Sequence, residues 1–150
     1  MDAEEPRGCE KFNWPIDREQ AAINAAGVSA LTTGATKASL GVPMELTLSP
    51  SAEAALPKPP ERAGRTPAAF AGFISYSAPP DAGFYQVTLS SAAWLDVIQG
   101  AAYLKPAAFS GAPDCAGVRK LVRFELQSAP FVLQISDAAE GRIKLMVERK

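Results

Sequence analysis

Residues 120–126 read KLVRFEL, residues 131–135 read FVLQI and residues 142–148 read RIKLMVE. In each run alternate residues are apolar: Val122, Phe124 and Leu126, then Phe131, Leu133 and Ile135, then Ile143, Leu145 and Val147. A period of two places each set on one face of a β-strand. The linking segments QSAP (127–130) and DAAEG (137–141) have turn composition. The three runs therefore predict an antiparallel meander with one face buried and one wet.

The same reading extends upstream. Residues 84–89 (FYQVTL) set Tyr85, Val87 and Leu89 on one face, and residues 94–98 (WLDVI) point Leu95 and Val97 inward. Residues 69–77 carry Phe70, Phe73, Ile74 and Tyr76, and residues 42–48 align Met44, Leu46 and Leu48. Tyr103 to Lys105 forms a further short strand. Seven or eight short strands with turns about every 8–12 residues predict a mainly β domain, an antiparallel β-sandwich or a partly open barrel. The cadence of YQVTL (85–89), WLDV (94–97), VRFEL (122–126) and LQIS (133–136) resembles that of bacterial prepeptidase C-terminal-type jelly-roll domains over about half the chain. That resemblance implies a jelly-roll-like sandwich and assigns no functional residue.

The first half is different. Residues 1–15 form a polar arm ending in Phe12, Trp14 and Pro15, and residues 16–27 predict one short N-terminal helix. Asp17 and Gln20 have the spacing of a capping box, Ile16 that of a staple on Ala21, and Gly27 is a stop signal. Ala22, Ile23 and Ala26 are expected to lie on the fold. Residues 49–67 hold Pro50, Pro57, Pro59, Pro60 and Pro67. Proline cannot join an interior ladder, so this segment is expected as a long loop, mobile or functional rather than packed. Residues 68–150 complete the β core of a single domain spanning 1–150.

Composition narrows the chemistry. The 150 residues include no histidine and two cysteines, Cys9 and Cys115. A Ser-His-Asp or Cys-His relay lacks its imidazole, and His/Cys metal sites lack their ligands. Fifteen basic against sixteen acidic residues give a net charge of -1, with no basic excess to drive nucleic-acid binding. No apolar run of roughly 18 residues is present to span a bilayer. The cysteines lie 106 positions apart and are expected to form a disulfide drawing Phe12 and Trp14 towards Cys115. The N-terminus has neither a basic n-region nor an apolar h-region. A cytoplasmic protein with two buried thiols would show this, and so would an exported bacterial domain, periplasmic or secreted, whose leader has been removed. The second is preferred because paired cysteines persist in oxidising compartments.

Candidate binding residues are few. Trp94 could stack on a ligand while Asp96 anchors its polar groups, or Trp94 could pack at a sheet edge while Asp96 caps a turn. Arg119 and Arg123, near Lys120, could share a face that receives an anion, or form a solvated face paired towards Glu148. Tyr85 is a third position beside which a ligand could lie. Lys58, Arg62 and Arg65 read as solubilising charges. Asp81, Asp96, Asp114, Glu125 and Asp137 are available for carboxylate catalysis, but nothing in the sequence pairs them. No phosphate loop or EF-hand occurs, and no cofactor is expected, although loop Asp and backbone oxygens could hold calcium. The expected function is a non-catalytic binding module for a small ligand or an envelope protein partner. The alternatives are a carboxylate-dependent hydrolase and a structural subunit of a cell-envelope assembly.

Overall fold

Alternating apolar residues leave each strand with one face that must be covered, and two sheets cover each other. The computed structural model describes residues 8–36, 38–65 and 68–150. Residues 1–7, including the expected leader junction, and Pro67 lie outside the described residues. Eleven strands follow in chain order: β1 (Ser29–Thr32), β2 (Met44–Thr47), β3 (Ser49–Pro50), β4 (Phe70–Tyr76), β5 (Gly83–Leu89), β6 (Trp94–Gln99), β7 (Ala102–Tyr103), β8 (Ala108–Gly111), β9 (Lys120–Leu126), β10 (Phe131–Ala138) and β11 (Arg142–Arg149). One sheet has the order β1-β2-β11-β5-β9-β8, the other β3-β4-β10-β6-β7. The architecture is the expected mainly β sandwich with one short helix. The pairings are antiparallel except that β1 runs parallel to β2.

The core lies between the sheets. Leu46, Leu89, Leu145, Ile74, Leu133 and Ile135 are fully enclosed there, and Tyr76 stacks on Phe131 with ring centroids 4.7 Å apart. The alternating residues predicted to face inward on β9, β10 and β11 all do so. Their connectivity is not a meander, however. β9 and β11 flank β5 in the first sheet, whereas β10 lies between β4 and β6 in the second. Alternation says which face is buried but not which strand is the neighbour, and links of a few residues can cross the roughly 10 Å between sheets.

The outer faces are partly covered as well. On the first sheet, Phe12, Ile16, Ala112, Cys115, Val118 and Leu121 form a second, smaller core, with Cys9 and Trp14 against it. The disulfide Cys9–Cys115 closes this layer, as expected, with Cα atoms 4.5 Å apart. The helix α1 (Asp17–Asn24) is shorter than the predicted 16–27, and its N-terminus has no side-chain cap. Gln20 instead turns its amide to Cys9 Sγ (3.2 Å) and to the carbonyl of Ala116 (3.0 Å). The helix buries Glu19 and Ile23, while Ala26 is exposed.

The described part of the proline-rich segment, residues 49–65, lies as a strap against the second sheet. Ser49 and Pro50 pair with β4 as an edge strand. Beyond a 3-10 turn at Ser51–Glu53, backbone groups of Lys58 and Glu61 bond to the buried side chains of Gln134 and Asp96 on the outer face of the second sheet. Beyond Pro50 the segment leaves the ladder, and side chains of the sheet supply partners that a strand would have supplied.

Candidate functional site

Trp94 and Asp96 begin β6, two residues apart and therefore on one face. The Trp94 indole Nε1 donates to Asp96 Oδ1 at 3.1 Å, and the Glu61 amide donates to Asp96 Oδ2 at 3.2 Å. Asp96 is 5 % exposed. Burial raises its carboxyl above the usual range, and the nearby Glu61 charge adds to this; the two hydrogen bonds offset only part of the rise. Asp96 thus ties the strap and the indole to the sheet.

The strap brings Arg62 over the indole, its guanidinium 4.4 Å from the Trp94 ring centroid, within cation–π range. Asp137 holds Arg62 from the other side, with a carboxylate oxygen 3.7 Å from its guanidinium, and accepts the Arg65 amide at 3.0 Å. Asp137 was expected in a turn but lies within β10, where the register with β4 shifts, and it has a φ of 54°. An irregularity of this kind re-aims a side chain, and aspartate tolerates the left-handed region better than most residues.

Two cavities meet at this point. The first, of about 380 Å³, opens between the sheets and is lined by Trp94, Leu95, Leu104, Phe109 and Val122 together with Asp96, Glu61, Pro106, Arg62 and Lys120. Leu95 and Val122 belong to the inter-sheet core, so the cavity is an opening into the sandwich at its β6–β8 edge. Phe109 stands at its rim, 65 % exposed. The second, of about 300 Å³, has a basic wall of Arg62, Arg65, Arg119 and Lys120, with Asp137 as its one carboxylate. Arg62 and Lys120 line both. Burial lowers the Lys120 ammonium below its ordinary range, and the charges of Arg62 and Arg119 lower it further. Among the described residues, no carboxylate forms an ion pair with Arg65, Arg119 or Lys120.

The structure therefore gathers Trp94, Asp96 and Arg119 into adjoining cavities and separates them from the other two candidates. Tyr85 is a core residue, 2 % exposed, with its hydroxyl donating to the Asp81 carbonyl at 2.7 Å. Arg123 lies under the N-terminal arm, where its guanidinium stacks 4.0 Å from the Trp14 ring and donates to Gln86 Oε1. It shares no cavity with Arg119, because the face they were expected to present is covered by the disulfide-closed layer. Sequence reasoning missed Arg62 and Arg65, taken as solubilising charges, and Glu61. Their signal was a long proline-rich loop carrying two arginines three positions apart, which the packed strap converts into a wall. No family model, curated protein or solved structure matches this chain, so the likeness to prepeptidase C-terminal-type domains remains one of strand cadence.

Proposed function

We propose that this chain is an exported, non-catalytic binding module, periplasmic or secreted, that takes a small ligand in the cavity at the β6–β8 edge. The disulfide supports an oxidising compartment. No helix of the described residues is long and apolar enough to cross a membrane. The observation that carries the binding reading is the cavity beside Trp94: an apolar opening of about 380 Å³ into the core, rimmed by an exposed Phe109 and a few fixed polar groups. Concave, mainly apolar sites with a few convergent polar groups are what small-molecule recognition uses.

The test uses the Trp14→Phe variant, in which Trp94 is the one remaining indole of the chain's two. Titration with phenol, phenyl phosphate and glucuronate should change its emission saturably for at least one of them. Emission unmoved by all three would remove the cavity as a binding site.

One observation favours the hydrolase alternative: Asp96, with its raised carboxyl, shares the cavity with Glu61. Both Asp96 oxygens, however, already accept bonds from Glu61 and Trp94, so the carboxylate serves the scaffold. Release of nitrophenol from 4-nitrophenyl glycosides by the native chain, lost in Asp96→Asn, would reverse that assignment.

A further inference from the structure

Four cations line a cleft whose one carboxylate, Asp137, is already engaged by Arg62 and by the Arg65 amide. Gathering like charges is unfavourable unless something of opposite sign fills the space. Arg62 Nε is buried without a hydrogen-bond partner among the described residues, and a buried donor left unpaired carries a cost. Beside this cleft, and sharing Arg62 and Lys120 with it, lies the apolar cavity of Trp94, Leu104 and Phe109. The volumes, about 300 and 380 Å³, suit one small molecule rather than a polymer.

We infer that the two cavities are a single site for an organic anion. A phosphate, sulfate or carboxylate head sits among Arg62, Arg65, Arg119 and Lys120, and a flat apolar body lies between Trp94 and Phe109. Arginine suits the head because its planar fork makes paired bonds to such oxyanions. The contacts of Arg62 with Trp94 and Asp137 hold one fork in place before the ligand arrives, which reduces the ordering cost of binding. This inference rests on the edge cavity being a binding site at all.

The experiment compares phenyl phosphate, phenol and inorganic phosphate on the Trp14→Phe background, read by Trp94 emission. Phenyl phosphate should bind at least about tenfold more tightly than phenol, the factor one charge-assisted hydrogen bond supplies. Its affinity should fall as salt is raised, as screening requires. Arg119→Gln and, separately, Arg65→Gln on the exposed strap should each weaken phenyl phosphate severalfold and leave phenol unchanged. Equal binding of phenol and phenyl phosphate would overturn the anionic head and leave the cavity standing. Inorganic phosphate competing as strongly as phenyl phosphate would overturn the union of the two cavities. No response to either aromatic would overturn this inference, and the binding reading falls with it only if glucuronate is silent as well.

Discussion

Glu19 is a carboxylate 2 % exposed on the buried face of a two-turn helix. Burial raises its carboxyl, but the hydrogen bond and charge of Lys150, whose ammonium lies 2.8 Å away, outweigh this and hold it below the ordinary value. A folded-state value below the unfolded one, about 4.3 for glutamate, gives stability that is fully present above that pH. The contribution is lost as pH falls through the folded value. Glu19→Gln should cost about 1.5–3 kcal/mol at pH 7, the range for a hydrogen bond to a charged group. Urea denaturation should show the gap between native and variant closing as the medium is acidified; a gap independent of pH would exclude the ion pair as its cause. Gly117 offers a second residue-scale test. Its φ is +82°, and a Cβ there would collide with the Asn24 side chain at the end of α1. Gly117→Ala should destabilise by about 1–2 kcal/mol through the disfavoured dihedral, read as a lowered denaturation midpoint.

At the scale of elements, the strap forms one wall of both candidate cavities. Gln134 accepts the Lys58 amide at 3.0 Å and donates to the Lys58 carbonyl at 3.1 Å, so one side chain imitates a rung of β-ladder. The Tyr103 hydroxyl donates to the Pro59 carbonyl, and Lys58 Nζ donates to the Ala101 carbonyl. Gln134→Ala removes both bonds to Lys58 and should raise amide hydrogen exchange across residues 58–65 while leaving β10 protected. Unchanged exchange there would mean that the prolines alone hold the strap. This element also marks where sequence reading stops. Alternation on β4, β5, β6, β9, β10 and β11 was legible because burial on one face imposes it residue by residue. The partners of the strap lie up to 76 positions away, and a glutamine on a strand gives no sign of what it will clip. β1 and β8 went unread for a related reason: four-residue edge strands carry little periodicity.

For the whole molecule, the Cys9–Cys115 bridge closes a loop of 106 positions, and a loop of about 100 residues gives up to about 4.7 kcal/mol in the chain-entropy model. Reduction should lower the melting temperature, and in a Trp94→Phe background the Trp14 emission should shift to the red as the arm lifts from Leu121 and Arg123. A melt and an emission indifferent to reductant would mean that Phe12 and Ile16 dock the arm without help. The same layer explains which of the candidate residues come together. Trp94, Asp96 and Arg119 stood out as an aromatic, a carboxylate and a cation near strand ends, and they do adjoin. Arg123 looked equivalent to Arg119 by spacing, yet only three-dimensional closure shows it shielded by Trp14. Arg62 and Arg65 reach this edge only because the strap folds over β6.

The central claim is that the open edge of the sandwich, walled by the strap, receives an organic anion. Amide chemical-shift mapping with phenyl phosphate on the native, oxidised chain tests it most directly. The account predicts a saturable cluster of shifts at Glu61, Arg62, Trp94, Phe109, Arg119 and Lys120. Shifts centred instead on Trp14, Gln86 and Arg123, or scattered over the surface without saturation, would contradict it.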